Sequence, residues 1–145
     1  YEVMQMKKTD ELFSEIKRST QIDKFLDENK DSISNYTLTQ YIDILIKEKN
    51  LTKKEVINKS ELNYTYGYQI INGTRKPTKD KLIQLCFGLG ATAEEANRIL
   101  VLADAGGLYS KNRRDCIIIF ALNKKLSLLE TNEKLYELGE NIIEI

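Results

Sequence analysis

Histidine and tryptophan are absent from this chain, proline occurs once and cysteine twice. Each scarcity removes a class of chemistry. Without histidine, the commonest general base and the commonest zinc ligand are missing. Cys86 and Cys116 lie far apart in apolar runs, so neither a disulfide scaffold nor a cysteine-based metal centre is expected, and both read as small buried hydrophobes in a reducing compartment. No apolar run approaches the ~18 residues a bilayer span needs, and no signal-type apolar segment stands near the start. The expectation is a cytoplasmic chain with no membrane role. No nucleophile–base pair, phosphate-cradling glycine loop or paired-carboxylate set is present either, so no catalytic, metal or cofactor site is expected.

Charge is plentiful, with 22 basic and 22 acidic side chains in 145 residues, but it is unevenly spread. Residues 51–81 hold seven Lys and Arg against three Asp and Glu, a local excess of +4, whereas residues 1–36 carry six basic and eight acidic groups. A positive patch on a neutral chain is the electrostatic footprint of phosphate binding without strong indiscriminate affinity.

The patch coincides with the stretch of most pointed residue order, TKKEVINKSELNYTYGYQIINGTRKPT, residues 52–78. Thr52 with Glu55 forms a capping box that opens a short helix bearing Val56 and Ile57. That helix stops near Ser60 and Glu61; Leu62 plugs the turn, and Asn63 caps a second helix that runs to Asn72. Gly73 suits the left-handed position after a helix, and Pro77 prevents continuation.

These residues resemble the Cro/C1-type (XRE) helix-turn-helix without a gap, from the Thr52–Glu55 start through Val56, Leu62, Asn63, Ile70 and Gly73 to Arg75, Pro77 and Thr78. Two departures stand out. Ile57 and Gly67 reverse the usual small and branched residues at two facing positions, a volume-conserving swap, and Glu61 stands where the family carries its turn glycine. The resemblance implies that the second helix lies in a DNA major groove. Tyr64, Thr65 and Gln69 would then read bases; Lys53, Asn63, Tyr68, Asn72, Arg75 and Lys76 would hold the backbone. The implied partner is double-stranded DNA. A homodimer is also expected, because paired half-sites mirror a two-fold axis.

An alternative stays open. Tyr64, Tyr66 and Tyr68 crowd a helix with no Arg or Lys, and tyrosine is also favoured in protein interfaces. The same fold could therefore serve as a non-catalytic adaptor for a protein partner.

Around the motif, hydrophobic spacing predicts an all-α, compact multi-helix bundle of about eight or nine helices with a lambda-repressor-like (Cro/C1) core. Residues 1–36 read as a helical arm, with Leu12, Phe13 and Ile16 on a first helix. Ile22, Phe25 and Leu26 form the stripe of a second, capped by Thr20 and broken by NKDSISN. This acidic pair reads either as packed on the core, the commoner fate of such stripes, or as an interaction arm. Residues 37–105 form the helix-turn-helix domain, opened by the Thr37–Gln40 capping box and closed by a hairpin whose second helix starts at Thr92–Glu95.

Residues 106–145 read as a helical hairpin packed on that core. Shifting residues 79–104 by 35 positions superposes Asp80 on Asp115, Glu95 on Glu130, Asn97 on Asn132 and Leu100 on Leu135, suggesting a repeat. A weaker echo links Leu45, Thr52 and Glu55 to Leu85, Thr92 and Glu95. Residues 116–122 are apolar all round, as in a helix buried on most sides. The cluster Lys111, Asn112, Arg113 and Arg114 reads as a solvated loop end rather than a phosphate clamp. Glu137, Glu140 and Glu144 around Leu138, Ile142 and Ile143 read either as a partner or dimer surface or as a last packed helix with a frayed end.

Overall fold

The structure, a computed structural model, describes residues 9–30 and 36–145. Among the described residues there are nine helices and no strand. The chain divides into two units, Tyr1–Tyr36 and Thr37–Ile145.

The first unit contains α1 (Thr9–Arg18) and α2 (Ile22–Glu28). Within this unit Phe25 is buried, whereas Phe13, Ile16, Ile22 and Leu26 are exposed. Thr20 does not cap α2. Gln21 holds the N-cap position without a side-chain hydrogen bond, while Ser19 Oγ donates to its carbonyl at 3.0 Å. Most of the break expected at NKDSISN, residues 31–35, lies outside the described residues.

The second unit contains α3 (Leu38–Glu48), α4 (Lys53–Ser60), α5 (Tyr64–Asn72), α6 (Lys79–Leu89), α7 (Ala93–Leu102), α8 (Arg113–Asn123) and α9 (Leu128–Glu137). Its core takes Ile42 and Leu45 from α3, Val56 and Ile57 from α4, and Ile70 and Ile71 from α5. Leu82, Ile83, Leu85 and Cys86 of α6, Ile99 and Leu100 of α7, Ile118 of α8 and Leu135 of α9 complete it. Fully burying each such side chain contributes roughly 1.5–3 kcal/mol. Helices α4 and α6 approach closely at Gly88, where an added Cβ would collide with Ser60 Oγ and the Val56 carbonyl. Beside it Gln84 Nε2 donates to the Ser60 carbonyl at 3.1 Å, tying the buried backbone of α4 to α6.

One turn design, which closes a helix and at once opens the next, occurs three times. Asn50, Gly90 and Lys125 all adopt the left-handed conformation, with φ of 55°, 63° and 57°. After each, Leu51, Ala91 and Leu126 donate back to Ile46, Cys86 and Ala121, each at 3.0 Å. This is the long-range bond that closes a helix end. Capping boxes then open the next helices at Thr52, Thr92 and Ser127.

The correspondence between residues 79–110 and 114–145 extends to single atoms. Asn97 Oδ1 accepts from Leu108 N at 2.7 Å, and Asn132 Oδ1 from Ile143 N at 2.8 Å. Lys79 donates to the Gly107 carbonyl at 3.2 Å, and Arg114 to the Ile142 carbonyl at 3.3 Å.

Four local expectations need correction. Helix α9 stops at Glu137, Leu138 follows as its C-cap and Gly139 turns left-handed at φ 77°, so Ile142 and Ile143 lie in a non-helical tail, with Ile143 buried. Helix α8 is buried on one side only: Asp115, Ile118, Ala121 and Leu122 face inward, while Phe120 is exposed. Cys116 is exposed too, unlike buried Cys86. Finally, the 111–114 cluster is not merely solvated. Asn112 caps α8, Arg113 pairs with Glu140 at 3.3 Å, and Arg114 grips Asp80 through both terminal nitrogens at 3.1 and 3.0 Å.

Candidate nucleic-acid interface

Helices α4 and α5 are joined by a tight turn whose geometry follows from a few side chains. Thr52 Oγ1 accepts from Glu55 N at 3.1 Å while Glu55 Oε1 accepts from Thr52 N at 3.3 Å, which starts α4. Glu61 ends it in the left-handed region at φ 54°. That conformation is uncommon for a residue with a Cβ and is where a glycine would be relaxed. Leu62 is buried under the turn, and Asn63 Oδ1 accepts from Tyr66 N at 3.2 Å to start α5. Gly73, at φ 80°, ends α5, and Thr74 N closes back on the Gln69 carbonyl at 2.9 Å.

Gly67, Ile70 and Ile71 form the inward side of α5. The outward side carries Tyr64, Thr65, Tyr68, Gln69 and Asn72. The side chains of Thr65 and Gln69 make no hydrogen bond among the described residues, leaving a hydroxyl and a primary amide available to an external ligand. Tyr64 and Tyr68, one turn apart, pack edge to face with ring centroids 4.9 Å apart and planes at 65°; their hydroxyls share a hydrogen bond of 3.2 Å. The hydrogen bond from Tyr64 is the main cause that raises the Tyr68 pKa, while Lys53 and Lys54 pull it the other way. Positive charge from the start of α4 therefore reaches the tyrosine pair.

Lys53 Nζ donates to Asn72 Oδ1 at 3.3 Å, joining the start of α4 to the end of α5. The Asn72 amide hydrogens and the remaining lysine protons form a cationic donor set, the chemistry that suits a phosphate oxygen. Arg75 lies over the Tyr66 ring, 5.2 Å from its centroid, which orients its guanidinium. Lys76 is exposed.

The nine residues singled out in the sequence thus divide by geometry. Lys53 and Asn72 are brought together, as are Tyr64 and Tyr68. Asn63 has its oxygen engaged in the cap, Arg75 is stacked, and Thr65, Gln69 and Lys76 stand outward. The contact of Lys53 with Asn72 carried no sequence signal, being 19 residues apart. The tyrosine pair did, through its one-turn spacing. Among the described residues, no group of three or more His, Cys, Asp or Glu side chains converges to hold a metal, and no helix is long and apolar enough to cross a membrane. Compared with family models, curated proteins and solved structures, the chain matches none.

Proposed function

We propose that this chain is a non-catalytic, sequence-specific DNA-binding regulator of the Cro/C1 kind, acting in the cytoplasm and reading the major groove with α5. The observation that carries the reading is the outward face of α5. Thr65 and Gln69 offer unengaged base-reading groups, and Lys53 hydrogen-bonded to Asn72 offers a phosphate-binding pair beside them. A Gln side chain can pair bidentately with adenine N6 and N7, and a Thr methyl can lie against a thymine methyl. Tyr64 would complete the base contacts; Asn63, Tyr68, Arg75 and Lys76 would join Lys53 and Asn72 along the backbone. Two copies would occupy paired half-sites.

The test is fluorescence anisotropy with a duplex selected from a random pool and with an unselected duplex, across a salt series. Preference for the selected duplex that persists at physiological salt is the expected result. Weak binding to both that vanishes together as salt rises would refute sequence reading.

The Tyr64–Tyr68 pair supports a second reading. One of its hydroxyls donates to the other, and its rings form an amphipathic surface on a helix without basic residues, the composition of a protein-binding anchor. In that case the partner would be a protein, and Tyr64→Ala with Tyr68→Ala would abolish its capture.

A further inference from the structure

An open cleft of about 480 Å3 is lined by Asp80, Arg114, Asn141, Ile142 and Glu144. It lies where the pattern joining successive hairpins would continue. One repeat earlier the corresponding place is filled by Asp115, the third residue of α8. Its carboxylate accepts from Tyr109 N at 2.9 Å and stands 3.5 Å from Lys79 Nζ.

The same frame is rebuilt at the cleft. Arg114 stands for Lys79 and donates to the Ile142 carbonyl as Lys79 does to Gly107. Asn132 holds Ile143 as Asn97 holds Leu108, so Ile142 and Ile143 take the places of Gly107 and Leu108, although Gly106 is left-handed and its counterpart Asn141 is not. The N–H of Glu144 is therefore the counterpart of the Tyr109 N–H, and it meets no acceptor among the described residues. Of the five guanidinium hydrogens of Arg114, those used go to Asp80 through Nη1 and Nη2, to Asn141 through Nε and to Ile142 through Nη2. The second Nη1 hydrogen remains.

We propose that this cleft receives the carboxylate of an aspartate in the first turn of a partner protein's helical hairpin, which docks on α8 and α9 as these dock on α6 and α7. Charge selects the occupant. At the existing junction Arg114 and Asp115 arrive as adjacent opposite charges and cross-pair with Asp80 and Lys79. A hairpin bringing such a basic–acidic pair adds no net charge, whereas a free carboxylate brings its charge unaccompanied into a cleft lined by Asp80 and Glu144. The surface is separate from the outward side of α5 and does not depend on the DNA reading.

The proposal is tested by appending a second copy of residues 111–145 directly after Ile145, which places its aspartate one 35-residue repeat beyond Asp115. Hydrogen exchange is then followed in the appended helices. Their amides should exchange about tenfold or more slowly than unstructured amides. That protection should be lost on Asp115→Asn in the appended copy alone, or on Glu144→Pro in the parent segment, which deletes the N–H donor. Glu144→Ala should preserve it. The unextended Glu144→Pro chain should melt like the parent, which separates loss of docking from loss of the fold. Absence of protection, or protection indifferent to both the Asn and Pro changes, would overturn the proposal.

Discussion

Ile57 fills the space that a side chain at position 67 would need: a Cβ added to Gly67 would lie 2.9 Å from both Cγ1 and Cγ2 of Ile57. These atoms are attached close to the backbone of α4 and have little room to give. Alanine at 67 would gain about 1 kcal/mol of helix propensity but would overpack a full contact, which costs about 1–3 kcal/mol. Gly67→Ala alone should therefore destabilise the chain in denaturant unfolding. In an Ile57→Ala background, itself weakened by about 2–5 kcal/mol through the cavity left behind, the same change should become stabilising. If the sign does not reverse, the two positions do not compete for one volume.

On the outward side of α5, Gln69→Ala and Lys53→Ala should separate reading from holding. The Gln69 amide is unengaged, so its loss should relax preference at one base pair and cost about 1–3 kcal/mol on the preferred duplex only. Lys53 is tied to Asn72, and its removal should weaken all sequences alike and lower the salt slope by about one. Anisotropy on selected and unselected duplexes distinguishes the two patterns; equal losses on both duplexes from Gln69→Ala would remove it from base reading.

The parts legible from sequence were those set by local chemistry. Thr52–Glu55, Thr92–Glu95 and Ser127–Glu130 announce helix starts because each hydroxyl and carboxylate answers backbone donors within one turn. Glycine at 73 and 90 marks ends for the same local reason. What stayed hidden depends on groups distant along the chain. Cys116 and Phe120 share an apolar run with Ile118, yet tertiary packing covers only one side of α8. Arg114 read as solvated because its partner, Asp80, is 34 residues away. In the tail, Ile142 and Ile143 continue a helical pattern, but Gly139 turns the chain and Asn132 captures Ile143. The alignment of Asn97 with Asn132 was visible in the sequence; its physical cause was not.

Stability should fall in alkali. Burial, then the charge of Glu95, pushes the Tyr41 hydroxyl up to about 12 from 10.0, against the lowering effect of Arg98, whose guanidinium lies 5.6 Å from the ring centroid. Burial also raises the Cys86 thiol. Between the unfolded and folded values the native state holds more protons, so this contribution is complete below pH 10.0 and declines towards about 12. Lys125 acts in the opposite sense, its pKa being lowered by burial and by Lys49. Tyr41→Phe removes the tyrosine share alone, so the loss of denaturation midpoint above pH 10 should be shallower in that variant, measured at fixed ionic strength. An unchanged alkaline slope would mean that the Tyr41 hydroxyl reaches water in the folded chain.

Asn132 holds Ile143 at two points: its Nδ2 donates to the Ile143 carbonyl and its Oδ1 accepts from the Ile143 N–H, both at 2.8 Å. Asn97 makes only the second of these contacts, to Leu108. Ile143 is fully buried, so the two bonds fix the tail that packs its side chain. Asn132→Ala should cost about 1–3 kcal/mol and free the tail to proteolysis, with Asn97→Ala the milder change. Asn132→Asp is more discriminating. An ionised carboxylate keeps the acceptor for the Ile143 N–H but sets a negative oxygen against the carbonyl, which raises the pKa of the new acid in the fold. Its protonated form restores the donor. Relative to Asn132→Ala at each pH, the aspartate variant should therefore gain stability as pH falls through that raised value. If the aspartate and alanine variants keep a constant difference across the acid range, the Nδ2 bond to the carbonyl does not hold the tail.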